Sequence, residues 1–376
     1  MLFLLVFFII VVSHEFGHFI VAKANGVRVI EFAIGMGPKL IGFSKNGTKY
    51  VLRALPIGGA CVYDTGLEEA LEEVMADDTT ETSTAKSSDN ADDKAGADAG
   101  FLDEKQGIAY TEAPLLTRIG IVLAGPVFNF IVAYLLALIV VWYTGSSNAE
   151  ITSVMDGYPA QEAGLMPGDI ITKMNGSRVY LANEIYVNTY TNKERPLTIE
   201  YERDGKKYTT TIIPKYNEES GRYLMGLDGY GRYVSCKNAG IFKYAYYEER
   251  YAFVGTWKSL IALLSGRGSK DDVAGPVGMA QAIDDVKDAA APYGPWVVLL
   301  NMFNIAMLLS VNLGILNLLP LPAIDGGKLL FLFVEGLRGK PIPPEKEGIV
   351  HLVGFALLAI LAIVVMYNDI LRIIGS

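Results

Sequence analysis

The sequence is poor in cysteine, in histidine and in clustered basic residues. Its two cysteines, Cys61 and Cys236, fall on opposite sides of a membrane in the topology predicted below, which excludes a disulfide framework. The net charge is −9 and no stretch forms a basic stripe, so we expect no nucleic acid partner. Two of the three histidines lie only four residues apart, and they are the first candidates for chemistry.

Charge is also scarce, at 19% of residues against 51% hydrophobic residues. That balance is too apolar for a typical soluble protein and too charged for a chain that lies wholly within a membrane. We therefore expect a polytopic α-helical membrane protein with at least one water-exposed domain. Four apolar runs have the length of a membrane-crossing helix, at about 1–22, 115–143, 295–319 and 349–371.

The first apolar run contains the motif His14-Glu15-Phe16-Gly17-His18. It lacks a basic n-region and continues past the histidines, so we predict a retained span rather than a signal peptide. Residues four apart share one face of a helix, so both imidazoles can bind a single Zn²⁺, with Glu15 beside them to accept a proton from water. The alternative is a pair of buried, hydrogen-bonded histidines, but ionisable groups within a span are costly and rarely accidental.

A carboxylate follows the third apolar run and completes a candidate ligand set. Residues 320–328 read Pro-Leu-Pro-Ala-Ile-Asp-Gly-Gly-Lys, and prolines at this depth are tolerated only where protein or a wet cavity surrounds the freed backbone groups. Asp325 is the isolated carboxylate here, and two histidines with one carboxylate leave the fourth zinc position open for water. A helix N-cap role for Asp325 is compatible with that ligand role. The remaining histidine is His351, and we identify no fourth protein ligand.

Two contrasting segments separate the first and second spans. Residues 40–55 alternate in polarity around Asn46-Gly47, which predicts a β-hairpin within membrane-associated β-structure at 23–62, either facing the substrate or forming an ordinary surface hairpin. Residues 63–112 are rich in Asp, Glu, Thr, Ser and Ala, with a short helix predicted at 67–75. We predict a disordered acidic insert, because such a segment buries too little apolar surface to offset its ordering entropy. A regulatory tail is the alternative.

Residues 149–214 have the pattern of a soluble domain with short strands and turns. Residues 163–169 read Ala-Gly-Leu-Met-Pro-Gly-Asp, and this order resembles a bacterial PDZ domain. The groove of such a domain binds peptides by strand addition, so peptide C-termini are candidate partners. The alternative is a small β-domain that acts as a spacer. Residues 238–266 predict an amphipathic helix, either at the membrane interface or packed on the PDZ domain.

Basic residues predict the orientation of the spans. They flank the loop after the first span and lie between the third and fourth spans, so both loops are expected in the cytoplasm. Both termini and the PDZ region are then outside a plasma membrane, and the candidate ligands meet at one depth toward the cytoplasmic side. The second span contains Gly125, Pro126 and Asn129. Small residues and an asparagine that needs an interhelical partner predict packing on the metal-binding helix.

The predicted fold is a polytopic α-helical membrane protein with a membrane-associated β-hairpin and an inserted extracytoplasmic PDZ (α+β) domain. Its first half comprises the first span with the histidine motif at 1–22, β-structure at 23–62, the acidic insert at 63–112 and the second span at 115–143. Its second half comprises the PDZ domain at 149–214, a linker with amphipathic helices at 215–294, the third span at 295–319, the metal-ligand loop and cytoplasmic segment at 320–348 and the fourth span at 349–371.

Several short motifs occur along the chain in a characteristic order. They are His-Glu-Phe-Gly-His at 14–18, Gly-Met-Gly-Pro-Lys at 35–39, Leu-Pro-Ile-Gly-Gly at 55–59, Ala-Gly-Pro-x-x-Asn at 124–129, the PDZ-like domain, Gly-Pro-Val-Gly at 275–278, and Asn-Leu-Leu-Pro-Leu-Pro-Ala-Ile-Asp-Gly-Gly at 317–327. With them the chain resembles the site-2 protease family of intramembrane zinc metalloproteases, in its bacterial regulator-of-sigma-E protease branch. The resemblance covers nearly the whole chain except the acidic insert, and the single PDZ-like domain is similar to the shorter, Gram-positive type.

The resemblance implies that His14, His18 and Asp325 bind Zn²⁺ and that Glu15 is the catalytic acid and base. The implied reaction is hydrolysis of a peptide bond within the transmembrane segment of a single-span substrate. Anti-sigma factors and remnant signal peptides are the expected substrate classes, and the lipid bilayer is the expected surrounding.

The resemblance also implies that Asn312 and Asn317 contact the substrate, while the β-structure at 27–55 clamps it as an added strand. The substrate must be unwound, because a peptide bond in a membrane helix is hidden by the helix's own hydrogen bonds. The residues leave two other functions open. One is a membrane-anchored PDZ adaptor with a structural metal site, although structural zinc normally has four protein ligands. The other is a metal transporter, which requires polar residues along several spans.

Overall fold

Among the residues that the computed structural model describes, four helices are long and apolar enough to cross a membrane. They cover Val6–Ala24, Leu115–Thr144, Pro295–Leu318 and Glu345–Leu371, and so match the four predicted spans to within a few residues. Shifts of this size are common, because the terminal turns of helices fray. The four apolar helices are confirmed, whereas the orientation of the spans stays a prediction.

The structure describes residues 2–65, 107–218, 220–266 and 275–375. Most of the predicted acidic insert, including the helix predicted at 67–75, therefore lies outside the described residues. The chain divides into two units, Met1–Asn129 with Asn317–Leu358 and Phe130–Leu316 with Ala359–Ser376, and each is described by itself.

The described elements are numbered in chain order. The helices are α1 (Leu2–Ala24), α2 (Leu115–Thr144), α3 (Pro159–Glu162), α4 (Ala182–Asn192), α5 (Gly240–Leu264), α6 (Pro276–Ala290), α7 (Pro295–Leu318), α8 (Asp325–Arg338) and α9 (Pro344–Gly375), with a 3₁₀ turn at Ala291–Tyr293. The strands are β1 (Val29–Lys45), β2 (Thr48–Tyr63), β3 (Ser146–Ser147), β4 (Ile151–Val154), β5 (Ile170–Met174), β6 (Ser177–Arg178), β7 (Leu197–Arg203), β8 (Lys206–Ile212), β9 (Lys215–Asn217), β10 (Arg222–Leu224), β11 (Leu227–Tyr230) and β12 (Tyr233–Val234).

The predicted hairpin of the first unit is present, and it is more curled than its sequence indicates. Its turn lies at Asn46 and Gly47, which both have the positive φ that a tight hairpin turn requires. Residues 31–34 of β1 pair on both edges, with residues 59–62 on one side and residues 49–52 on the other. The two long strands therefore fold back into a small sheet of adjacent segments.

In the first unit, the start of α2 packs closely on α1, as predicted. A Cβ atom at Gly17 would clash with the backbone carbonyl of Ala124, and one at Gly125 would clash with the imidazole of His18. Glycine at both positions therefore lets the two backbones approach. At the first turn of α2, the guanidinium of Arg118 donates two hydrogen bonds to the carboxylate of Glu335 on α8.

The domain of the second unit that the sequence predicts to be soluble, called the soluble domain below, is an α+β structure whose four-stranded antiparallel sheet has the order β6-β5-β7-β8. A second pair of strands joins β4 to β11. Met225 belongs to the same buried core as Ile151 and Ile199, and Tyr230 packs against it. The domain therefore continues past its predicted end at residue 214 to about residue 230. The sequence hides β11, because the segment is rich in Gly and Tyr and has little apolar alternation.

An ion pair between a buried carboxylate and a partly exposed guanidinium holds the turn that resembles the PDZ signature. Asp169 has no exposed surface, and its two carboxylate oxygens accept hydrogen bonds from the guanidinium of Arg203 at 2.6 and 2.7 Å. The backbone N–H of Met166 also donates to this carboxylate, at 2.8 Å. Charge-assisted bonds in a two-pronged arrangement are strong and directional, so Asp169 fixes the turn before β5.

Helix α5 is the amphipathic helix predicted at 238–266, and it packs on α4 of the soluble domain. Arg250 donates to Glu184 at 2.8 Å, and the rings of Tyr247 and Tyr180 stack with centroids 4.1 Å apart. The same helix contributes two buried alanines to a cluster with residues of α2 and α7. These contacts fit the second of the two predicted positions, against the domain.

The Gly-Pro-Val-Gly motif forms the start of α6 in the second unit. Pro276 occupies the first turn, where its missing N–H group has no helical partner to lose. The buried carboxylate of Asp369 on α9 accepts hydrogen bonds from the backbone N–H groups of Gly275 at 3.1 Å and Gly278 at 2.7 Å. A negative charge near the N-terminus of a helix is favourable, so Asp369 of α9 caps the N-terminus of α6.

Candidate metal centre

Three side chains of the first unit meet at one point. Oδ2 of Asp325 lies 3.0 Å from Nε2 of His14 and 3.2 Å from Nε2 of His18, and the two nitrogens are 3.2 Å apart. In a tetrahedral zinc site with ligand bonds of about 2.0 Å, ligand atoms lie about 3.3 Å from one another. The three atoms therefore have the spacing of metal ligands.

Local structure explains why these residues converge. His14 and His18 lie one turn apart on α1, and only 7% and 6% of their surfaces are exposed. Asp325 is the first residue of α8, immediately after the turn that contains the two prolines. Cβ atoms at Gly326 and Gly327 would clash with the backbone carbonyls of Leu319 and Leu321, so the two glycines let the chain reverse and present Asp325.

His351 supports this turn, a role that the sequence does not reveal. Ala323 has φ of +73°, a conformation that is unfavourable for a residue with a side chain. Its backbone N–H donates to Nδ1 of His351 on α9 at 2.9 Å. His351 therefore stabilises the loop two residues before a ligand and is not itself part of the ligand cluster.

The hydrogen bonds of His18 show which ring nitrogen is available. Nδ1 lies 2.8 Å from the backbone carbonyl of Ile121, and because a carbonyl only accepts, Nδ1 carries the proton. The lone pair of Nε2 is then directed at Oδ2 of Asp325, which is buried and has no hydrogen-bond partner in the described ranges. An ionised oxygen facing ring lone pairs fits a bound cation.

Glu15 lies beneath the β-structure as well as beside the ligands. A Cβ atom at Gly59 of β2 would lie 2.7 Å from Cγ of Glu15, so β2 crosses this side chain where the strand has no side chain of its own. This contact lies four residues beyond the 27–55 segment that the resemblance implies as a clamp. The end of β2 therefore contacts Glu15.

The two predicted substrate-contacting asparagines lie in different units. Nδ2 of Asn317 is 3.4 Å from Nε2 of His14, so Asn317 stands at the candidate centre. Asn312 belongs to the second unit, where its Oδ1 accepts a hydrogen bond from Thr256. It lines a cavity of about 470 Å³ formed by residues of α4, α5 and α7.

Two further polar residues lie behind the candidate ligands. Asn129 on α2 is fully buried, with one head atom of its carboxamide 3.2 Å from Nδ1 of His14 and the other 3.2 Å from the hydroxyl of Ser13 on α1. The sequence signals that Asn129 needs an interhelical partner, but it does not identify that partner as His14. Cys61 of β2 is a free thiol. Burial raises its pKa to about 12, so it stays protonated and unreactive.

Two histidines one turn apart, a carboxylate from another helix and an adjacent glutamate are the parts of a metallopeptidase centre. Here they lie on and beside a helix that is apolar enough to cross a membrane. The model of peptidase family M50 matches residues 2–361 of the chain. The chain belongs to this family, the site-2 protease family.

Curated relatives cover nearly the whole chain. The zinc metalloprotease RasP of Shouchella clausii is 33% identical over 418 residues, covering 99% of this chain and 98% of the relative. The regulator of sigma-W protease RasP of Bacillus subtilis is 32% identical over 424 residues, with the same coverage of 99% and 98%. Among solved structures, the PDZ domain of an SdrC-like protein from Listeria monocytogenes is 23% identical with a TM-score of 0.20, covering 22% of this chain and 85% of that one.

Proposed function

We propose that this protein is an intramembrane zinc metalloendopeptidase that cleaves single-span membrane substrates. The convergence of His14, His18 and Asp325 next to Glu15, at an apolar helix, carries the proposal. Two imidazoles and one carboxylate suit Zn²⁺ and leave a coordination position open. Membership of peptidase family M50 and relatives named zinc metalloproteases support the same activity.

The chain's own residues account for the remaining chemistry. Zinc held by His14, His18 and Asp325 supplies Lewis acidity for carbonyl polarisation and water activation. Glu15 accepts a proton from the attacking water and delivers it to the leaving amine. The amide of Asn317, which lies at the ligands, donates a hydrogen bond to the oxyanion that develops.

The substrate has to reach this centre in an extended form. A helical peptide bond is shielded by its own hydrogen bonds, so unwinding precedes attack. The end of β2 over Glu15 offers backbone groups to an unwound segment, and Gly59 keeps the space above Glu15 free of a side chain. We propose that Asn312 also contacts the substrate.

The substrate classes we propose are anti-sigma factors and remnant signal peptides. One relative is named a regulator of sigma-W protease, which supports the first class. The PDZ domain docks peptides or limits the size of entering substrates. We propose that it and both termini lie outside the plasma membrane, with the centre toward the cytoplasm.

A membrane-anchored adaptor with a structural metal is the second candidate function. Structural zinc sites are normally closed by four protein ligands, whereas the described part of the chain places three ligand residues in this cluster. Three ligands and a neighbouring carboxylate favour catalysis.

Cleavage of a tagged single-span model substrate in liposomes tests the proposal, with zinc content measured on each variant. The unmodified protein should cleave, Glu15→Gln should keep zinc without cleaving, and Asp325→Ala should lose both. Glu162→Gln, at an exposed carboxylate of α3, is the control and should cleave normally. Turnover by Glu15→Gln at the normal rate would refute the mechanism, and zinc bound by a protein that cleaves no substrate would favour the adaptor.

A further inference from the structure

The tautomer of His14 decides whether its Nε2 can bind a metal. A ring nitrogen that binds a metal carries no proton, so the proton must sit on Nδ1 and have an acceptor there. For His18 the backbone carbonyl of Ile121 is that acceptor. For His14 the neighbour of Nδ1 is the side-chain carboxamide of Asn129, at 3.2 Å.

The orientation of this one carboxamide separates two states of the centre. With Nδ2 toward His14, the amide donates to Nδ1 and the imidazole proton moves to Nε2, where it points at Asp325. With Oδ1 toward His14, the amide accepts from Nδ1–H and leaves Nε2 with a lone pair. Nitrogen and oxygen of a carboxamide are nearly indistinguishable by position, so the surrounding hydrogen bonds decide.

Ser13 provides the deciding contact on the far side of the carboxamide. Its hydroxyl lies 2.8 Å from the backbone carbonyl of Ile10 and 3.2 Å from the nearer head atom of Asn129. A hydroxyl has one proton, and a carbonyl can only accept it. The shorter contact takes the Ser13 proton to Ile10, so Ser13 accepts from Asn129, and the atom of Asn129 that faces Ser13 is its nitrogen.

We propose that Asn129 and Ser13 are positioning residues that hold His14 as its Nδ1–H tautomer. Nδ1–H of His14 donates to Oδ1 of Asn129, Nδ2 of Asn129 donates to Oγ of Ser13, and the Ser13 hydroxyl donates to Ile10. Each of these donors then meets an acceptor in a buried setting, where an unmatched polar group is costly. The inference rests on the proposed function, because it concerns how His14 is prepared for zinc.

Zinc affinity of the full-length protein in detergent, measured by competition with a chelating dye, tests this role independently of cleavage. Asn129→Leu removes the acceptor and should weaken zinc binding by about 10- to 100-fold, the range typical for partners of ligand histidines. Asn129→Asp keeps an acceptor and should bind zinc at least as tightly as the unmodified protein. Ser13→Ala should have an effect between those two, because Asn129 remains but is no longer oriented.

Asn301→Leu is the matched control, because Asn301 is also a span asparagine but donates to Val297 within its own helix. It should bind zinc normally. Normal zinc affinity in Asn129→Leu, or equal weakening in Asn129→Asp and Asn129→Leu, would overturn the inference while leaving the proposed function intact. Absence of zinc binding in the unmodified protein would instead defeat the proposed function. If Asn129→Leu has a lower melting temperature than the other variants without zinc, the zinc affinities of Asn129→Asp and Ser13→Ala are compared instead. The inference then requires Asn129→Asp to bind zinc more tightly than Ser13→Ala.

Discussion

Two aspartates, one in each unit, bury their carboxylates in opposite ways. Asp169 of the soluble domain accepts hydrogen bonds from a guanidinium and from a backbone N–H. Oδ2 of Asp325 faces two imidazole nitrogens and, among the residues that the structure describes, has no hydrogen-bond partner. Burying an unmatched charge is expensive, so such a group is retained only where something else completes it.

The difference separates a structural role from a ligand role. Asp169 is complete as it stands, and its contribution is to the stability of a turn and a sheet. In the proposed function, a cation that joins the two imidazoles completes Asp325, whose contribution is then to binding. The contrast is therefore tested by one variant that lowers stability without changing zinc affinity and by another that lowers zinc affinity.

The largest expected effect on stability comes from Asp169→Ala. The change leaves Arg203 and the N–H of Met166 without their acceptor, and the hydrogen bond from that N–H to a charged, fully buried carboxylate is alone worth about 1.5 to 3 kcal/mol. The soluble domain of the full-length protein should then be cut faster by trypsin and should melt earlier, with zinc affinity unchanged. Asp284→Ala on α6, where the carboxylate is 66% exposed, is the control and should leave both properties unaltered. Normal protease resistance in Asp169→Ala would show that the ion pair is not structural.

Zinc removal should have the next largest effect on stability, and it should act on the first unit, which contains Asp325. A ligand at 100 times its dissociation constant stabilises the folded state by about 2.7 kcal/mol, so stripping zinc should lower the melting temperature of the unmodified protein. Asp325→Ala should show no change of melting temperature on zinc removal. Asp169→Ala should show the same change as the unmodified protein, starting from a lower melting temperature. Scanning calorimetry or dye-monitored melting, with and without a chelator, measures both. A chelator-induced shift that persists in Asp325→Ala would place the metal elsewhere.

Sequence reasoning predicts the candidate ligands better than the residues that hold those ligands in place. His14, His18 and Asp325 follow from spacing and from the rarity of charge in apolar runs, and the structure brings them together. Asn129 is flagged only as a residue in need of a partner, because sequence spacing does not say which side chain an interhelical contact will reach. His351 gives no signal, because its role depends on a backbone N–H that only the turn at Ala323 exposes.

The fold shows the same division. Long apolar runs set the four helices, and Asn46-Gly47 sets the hairpin turn, because each depends on local chemistry. The double pairing of residues 31–34 and the pairing of β11 with β4 depend on contacts between distant segments. Short strands rich in Gly and Tyr carry little periodicity, so their membership of a sheet emerges only from tertiary packing.

The smallest expected effect, and the finest test of the contrast, is His351→Leu. The change leaves the N–H of Ala323 without its acceptor at a backbone position of positive φ, and a single hydrogen bond of this kind is worth about 1 kcal/mol. Because the bond supports the turn that presents Asp325, zinc affinity should fall about fivefold, with the soluble domain's trypsin resistance unaffected. His351→Gln retains a side-chain acceptor and should restore part of that affinity in the same dye competition. An unchanged affinity in His351→Leu would mean that Gly326 and Gly327 alone hold Asp325 in place, and that the turn needs no support from α9.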